Sequence, residues 1–401
     1  MTGFLIGLGI ACATGIVHTY LVYPAWLARK ARNRSLPTDV WPVDGPQSRV
    51  FLLFAAYNEV DIIREKLDAT FATDYPMDRL TVWVGSDGSD DGTDDIVQEF
   101  ETRHNNLQLF RYNERAGKAV VLNKLMEDLH ARHTIGPNDV LVFTDANILF
   151  ERDTLHQLVQ HFKRPEVGQV GANILNRGMD IEGISAQEQF YISHENTVKY
   201  HEGVNWGCMM GAFGACYAMR ATLYPVIPRN FLMEDFYISL SILQRGHQAI
   251  LEPEARCWED LPKEVEEEFK RKTRISAGNF QNLSVYWPLL LTPWRPVGFA
   301  FLSHKVLRWI TPLLLATLWV CAGLLRGLSP WIEAGFWAQT ALLLTPFIDR
   351  IARSLGVHIR LLRFAGYFYS MNAALVMGFV KYLKGVRTNV WKPTKRTTSP
   401  S

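Results

Sequence analysis

The sequence predicts an α/β domain on a doubly wound, mostly parallel sheet, flanked on both sides by apolar helical segments. Three observations predict it. Strand-like and helix-like runs alternate between Arg34 and Asn282, as they do in parallel βα units joined by right-handed crossovers. Several strand-like runs stop abruptly in short polar turns, and the carboxyl ends of strands in an open α/β sheet are where ligands bind. The apolar residues outside this stretch gather in uncharged runs towards the two ends of the chain.

Gly3–Leu27 carries no Asp, Glu, Lys or Arg and is long enough to cross a bilayer at roughly 20 residues per span. Arg29, Lys30, Arg32 and Arg34 follow at once, and Tyr20, Tyr23 and Trp26 sit near that basic end. A signal peptide has the opposite order of charge and apolar run. The segment 1–34 therefore reads as an uncleaved anchor, with the next domain in the cytoplasm. Ser35–Ser48 reads as a linker. Strands are then expected over Arg49–Ala55, Leu80–Gly85, Leu107–Tyr112, Val140–Thr144 and Gly168–Leu175. Helices are expected over Glu59–Thr73, Asp91–Arg103, Lys118–His130 and Arg152–Phe162. No internal repeat interrupts this rhythm.

The soluble domain is expected over 35–283 and an interfacial, proline-containing segment over 284–308. A membrane region follows over 309–384, with apolar runs Trp309–Leu325, Trp331–Ile348 and Phe364–Val380, then a basic tail over 385–401. The arginines of Asp349–Arg363 and the lysines after Val380 pull the topology in opposite directions. A re-entrant run is one way to satisfy both, and the side on which the tail lies stays open.

Composition excludes some classes. The net charge of +2 gives no bulk attraction for nucleic acid. The five cysteines are scattered, odd in number and form no C-x-x-C pair. That disfavours a zinc site or a disulfide framework and suits a reducing compartment.

The chemistry lies at the strand ends. Strand one runs into Tyr57, Asn58 and Glu59, and strand two into Ser86-Asp-Gly-Ser-Asp-Asp-Gly-Thr93, which is acidic and flexible enough to meet a base or ribose; a solvated Asx turn capping a helix is the plainer alternative. Lys118, behind Gly117 at a helix start, suits a phosphate. The Walker spacing is absent, and no G-x-G-x-x-G follows strand one, which disfavours a dinucleotide dehydrogenase. Val140–Thr144 ends in Asp145-Ala-Asn147, two oxygen donors one residue apart that could share a hard cation. Gly211–Ala215 is small enough for close ligand approach or for tight packing. Glu234 and Asp235 open a helix. Arg271 and Arg274 stand one helical turn apart, facing either a diphosphate or anionic lipid.

In this order the motifs resemble the membrane-embedded family 2 glycosyltransferases, whose members include cellulose, hyaluronan and poly-N-acetylglucosamine synthases. The resemblance rests on Ala56-Tyr-Asn-Glu59, Ser86–Thr93, Gly117-Lys118 with Leu122-Asn123, Thr144-Asp-Ala-Asn147, Gly211–Ala215 and Glu234-Asp235, and covers Arg49 to Leu283. It implies a cytoplasmic GT-A domain, Rossmann-like and mostly parallel, held in the inner or plasma membrane by several spans. It implies inverting transfer from a nucleotide sugar, UDP-linked as in UDP-N-acetylglucosamine or UDP-glucose, to a growing polysaccharide or lipid-linked acceptor, with Mg²⁺ or Mn²⁺ as cofactor. Membrane lipids, and polysaccharide-export proteins where the product is a polymer, would be the further partners.

By position, Asp87, Tyr57 and Glu59 would hold the nucleotide, Lys118, Arg271 and Arg274 its phosphates, Asp145 and Asn147 the metal, and Asp235 would be the catalytic base. The chain departs from the family at Asn147, where a second acid is usual, and at Phe269–Ile275, where Q-x-x-R-W is usual. Ile275 replaces the tryptophan that would stack on the acceptor sugar, so processive polymerisation is not implied. An alternative of another class is a glycan transport or assembly subunit with little transferase activity of its own.

Overall fold

The computed structural model describes residues 1–43, 45, 48–177, 185–260, 265–357 and 359–390. It forms two compact units, Met1–Arg29 with Glu264–Gly385, and Lys30–Lys263 with Val386–Ser401. The chain opens with a long helical run, α1 (Thr2–Ala31).

The second unit is built on eight strands: β1 (Val50–Ala56), β2 (Leu80–Ser86), β3 (Leu107–Arg111), β4 (Val140–Thr144), β5 (Leu149–Phe150), β6 (Val167–Arg177), β7 (Cys216–Arg220) and β8 (Gln248–Asp260). Its helices are α2 (Ile63–Phe71), α3 (Thr93–Glu101), α4 (Lys118–Arg132), α5 (Thr154–Val159), α6 (Ser185–Trp206) and α7 (Glu234–Gln244). The strands lie in the order β3-β2-β1-β4-β7-β6-β8-β5. β1, β2, β3 and β4 are mutually parallel, and their near-continuous apolar runs suit strands covered on both faces. All seven residues of β1 are buried, and Val50, Leu52, Phe54 and Ala56 join a core that also takes Ile63 and Leu67 of α2 and Val97 and Phe100 of α3.

The other half corrects the expectation of a mostly parallel sheet. β7 runs antiparallel to both β4 and β6, β8 is parallel to β6, and β5 is antiparallel to β8. The sheet is mixed. A short, fully buried strand such as β7 has the same composition whichever way it points, so the sequence carries no sign of its direction. The reversal matters for the site, because it starts β7 at the edge where β4 ends: Thr144 pairs with Cys216. Register aligns the other strand ends on that edge, with Ala56 opposite Ser86.

One helix starts later than its sequence pattern suggests. The run expected from Glu59 becomes helical only at Ile63. Asn58 sits in the left-handed region at φ 52, and the backbone N–H groups of Glu59 and Val60 are taken by Thr93 Oγ1 and Asp91 Oδ2 at 2.8 and 3.1 Å. Side chains of the neighbouring turn thus satisfy the groups that a helical first turn would leave open.

The first unit contains α8 (Val265–Tyr286), a pair of helical runs Pro296–Trp309 and Thr311–Leu324 that meet at 64°, and the helices Pro330–Leu343, Thr345–Ser354 and Arg360–Leu383. α8 packs along Arg360–Leu383, where Ser276 Oγ donates to the Leu375 carbonyl at 2.8 Å and the rings of Phe280 and Phe379 lie 4.7 Å apart. Among the described residues, α1 is the one helix long and apolar enough to cross a membrane unaided, and the bent pair qualifies only if counted as a single span. Within the expected membrane region 309–384, no single described helix is both long and apolar enough to be a span by itself. The run Trp331–Ile348 is split between Pro330–Leu343 and Thr345–Ser354, with Pro346 at a position that cannot continue the preceding helix.

Candidate active site

The polar turns after β1, β2 and β4, the start of α4, the segment before β7 and the start of α7 all belong to the second unit. Asp87 follows β2 directly and is fully buried. Its carboxylate accepts the backbone N–H groups of Ala116 and Gly117 at 2.7 and 2.9 Å. Burial raises its pKa, and those two hydrogen bonds and the Arg115 charge work against the rise. The Arg115 guanidinium lies 3.4 Å from the centre of the Tyr57 ring, a contact worth about 0.5–2 kcal/mol depending on its exposure. Asn58 and Asp90 exchange two hydrogen bonds, Nδ2 to Oδ1 at 2.7 Å and Asp90 N–H to Asn58 Oδ1 at 3.0 Å. The turns after β1 and β2 are therefore locked together, with Tyr57, Glu59 and Asp87 at one corner of the edge.

Lys118 links this corner to the next. Its Nζ donates to Asp145 Oδ1 at 2.6 Å and lies 2.7 Å from Glu234 Oε1. Burial opposes the ammonium charge, but the two carboxylates outweigh it and hold the Lys118 pKa above the ordinary lysine value. Asp145 is fixed through its backbone, whose N–H donates to the Ala215 carbonyl at 3.1 Å. Its side chain keeps 38% of its surface exposed, and Asn147 is half-buried two residues on. Together they offer the oxygen donors that a hard divalent cation takes. Among the described residues no group of three or more His, Cys, Asp or Glu forms an all-protein cage. This donor set suits an ion such as Mg²⁺ or Mn²⁺ that completes its shell with water and phosphate oxygens.

Glu234 and Asp235 begin α7 and are both buried. Neither side chain is turned out to solvent. Glu234 goes to Lys118, while Asp235 accepts the Phe236 N–H at 2.8 Å. Burial and the neighbouring Glu234 charge push the Asp235 carboxyl up to about 6, with Lys118 opposing. Gly214 lets it sit there, since a Cβ at that position would lie 2.8 Å from Asp235 Oδ2. Gly211 is constrained twice over: its φ is +82°, and a Cβ there would come within 2.4 Å of the Phe236 ring. Gly211→Ala is expected to lower stability by about 1–3 kcal/mol, the usual cost of a forced backbone conformation. An unchanged unfolding midpoint in thermal or denaturant melts would contradict this.

Of the residues singled out from sequence, the structure gathers Tyr57, Glu59, Asp87, Lys118, Asp145, Asn147 and Asp235 into one unit. Arg271 and Arg274 belong to the other, on α8, where Arg271 lies 3.5 Å from the buried Glu268. Sequence reasoning missed the engagement of Glu234 with Lys118 and the stacking of Arg115 on Tyr57. It also missed Lys66, a fully buried lysine on α2 whose Nζ donates to Thr144 Oγ1 and the Ile148 carbonyl. A charged residue on the inward face of an otherwise apolar helical pattern was the available signal for Lys66.

A parallel β3-β2-β1-β4 half-sheet, continued through the antiparallel β7 into a mixed remainder, is a GT-A-like fold. The chain belongs to glycosyltransferase-like family 2, whose family model matches residues 46–278. It is 22% identical over 280 residues to the poly-beta-1,6-N-acetyl-D-glucosamine synthase of Staphylococcus epidermidis, covering 68% of this chain and 64% of that protein. It is 24% identical over 295 residues to the probable glycosyltransferase YdaM of Bacillus subtilis, covering 69% and 66%. The matched stretch thus spans just under two thirds of these curated relatives. Among solved structures it is similar to the mannosyltransferase PcManGT from Pyrobaculum calidifontis in complex with GDP-Man and Mn²⁺, with 26% identity and a TM-score of 0.68 over 94% of this chain and 99% of that one.

Proposed function

We propose that this enzyme is an inverting, metal-dependent transferase that moves a sugar from a nucleotide diphosphate donor to a hydroxyl of a glycan or lipid-linked acceptor. The observation that carries the reading is the Asp145–Lys118–Glu234 chain of contacts, with the buried Asp235 next in sequence. Tyr57, Arg115 and Asp87 form a corner suited to a planar base whose ring N–H donates to a carboxylate. Lys118 faces the diphosphate. Asp145 and Asn147 would hold a divalent ion, which when bound would neutralise charge on the departing diphosphate. Asp235 takes the acceptor hydroxyl proton as that oxygen bonds to the anomeric carbon and the carbon–oxygen bond to the diphosphate breaks. The apolar α1 and its basic flank support a membrane anchor with this unit on the cytoplasmic side.

Two donors are in contention. The synthase relatives favour UDP-N-acetylglucosamine and a polysaccharide acceptor. The mannosyltransferase structure, similar along nearly its whole length, favours GDP-mannose. Uracil and guanine both present a ring N–H to a carboxylate such as Asp87, so the base corner accepts either. The family match favours an enzyme over a transport subunit. The test is calorimetric titration of the purified full chain with UDP and GDP in Mn²⁺, followed by mass analysis of products from UDP-N-acetylglucosamine, UDP-glucose and GDP-mannose. Turnover of a UDP-sugar supports the first reading and turnover of GDP-mannose the second. Failure to bind either nucleotide overturns both.

A further inference from the structure

We infer that Lys66 is a positioning residue for the turn Asp145-Ala-Asn147, and that through this turn it sets the affinity of the site for its divalent cation. The inference rests on the metal role proposed for Asp145. Lys66 is fully buried in α2, and its Nζ donates to Thr144 Oγ1 at 3.0 Å and to the Ile148 carbonyl at 2.7 Å. Thr144 and Ile148 are the residues immediately before and after the turn, so a single ammonium ties both of its ends. The Thr144 hydroxyl in turn donates to the Asp145 carbonyl at 3.3 Å, and the Ile148 N–H donates to that same carbonyl at 3.2 Å. These bonds close a ring around the backbone from which both proposed ligands project.

The Phe150 ring covers the ammonium, its centre 3.7 Å from Nζ. Lys66 thus donates to two neutral oxygens under an aromatic face, and among the described residues it forms no ion pair with a carboxylate, although the Asp145 charge acts on it from farther off. A buried charge compensated in this way is costly, and burial also lowers its pKa to about 8. A methionine would fill the same space without that cost. The three directed protons of an ammonium do what no apolar side chain can, since they hold two acceptors at a set separation. Groups that orient a ligand from behind are commonly worth 10- to 100-fold in metal affinity.

Charge alone makes the opposite prediction. A positive side chain near Asp145 repels a cation, so if repulsion dominated, removing it would tighten binding. The two effects separate experimentally. Mn²⁺ binding to the purified full chain is read from the free-ion electron paramagnetic resonance signal, with UDP or GDP present at saturation. Nucleotide binding without metal and the melting temperature are measured beside it.

Lys66→Met is expected to weaken Mn²⁺ binding about tenfold with metal-free nucleotide binding unchanged. Thr144→Val keeps the charge and removes one tie, and is expected to weaken it less. The double variant should lose no more than Lys66→Met alone, because the two residues act as one device. Unchanged or tighter Mn²⁺ binding in Lys66→Met overturns the inference. If that variant does not fold, Thr144→Val decides alone, and wild-type affinity there overturns it. No Mn²⁺ binding by the wild-type chain would instead overturn the metal reading, and the inference with it.

Discussion

Asp235→Asn is expected to slow sugar transfer by about 10²- to 10⁴-fold, the range that general-base catalysis supplies, while nucleotide binding stays as it was. The amide keeps the shape of the carboxylate and can still accept the Phe236 N–H, but it cannot take a proton at neutral pH. The same buried group gives the wild-type enzyme a pH signature. With its carboxyl pushed up to about 6 by burial and Glu234, Asp235 is the required anion only above that pH. Transfer should therefore rise through pH 6 and level off above it, and the acid limb should vanish in whatever activity Asp235→Asn retains.

Stability moves the other way. A carboxyl whose pKa is higher folded than unfolded binds its proton more tightly in the native state, so its contribution to stability falls as pH rises from about 4 to about 6. Asp235→Asn should then melt higher than wild type at pH 8, with the difference shrinking towards pH 4. A variant with near-normal turnover would remove Asp235 as the base. A lower melting temperature at pH 8 would remove the account of its burial.

Asp145→Ala is expected to lower turnover by about 10³-fold or more. Loss of the metal's charge stabilisation costs several kcal/mol, and each 1.36 kcal/mol is about a factor of ten in rate. The fold should survive, because Asp145 is held by its backbone and its carboxylate remains 38% exposed. Lys118 also keeps Glu234 at 2.7 Å. Release of nucleoside diphosphate over a Mn²⁺ series checks this, and turnover within a few-fold of wild type would contradict the metal role of Asp145.

The parallel half of the sheet was legible because its signals are local. Val140–Thr144 is the strand that was expected, and Lys118 begins its helix where the glycine before it suggested. What escaped depends on residues far apart in sequence. The direction of β7 is set by its pairing with β4 and β6, and nothing inside Cys216–Arg220 encodes it. The late start of α2 is set by Asp91 and Thr93, some thirty positions away. In the site, single motifs pointed to Asp87, Lys118, Asp145 and Asp235, whereas Glu234 and Lys66 gain their meaning from partners on other elements. At the C-terminus, hydropathy marked the apolar run Trp331–Ile348 but could not show that a helix would break within it.

The most direct test of the central claim is the formation of glycosylated product and nucleoside diphosphate by the purified full chain, supplied with UDP-N-acetylglucosamine or GDP-mannose, first with Mn²⁺ and then with the cation chelated. The account predicts equimolar product and diphosphate from one of these donors, abolished by chelation and restored by added Mn²⁺. No release from either donor, or release that chelation leaves unchanged, would contradict it.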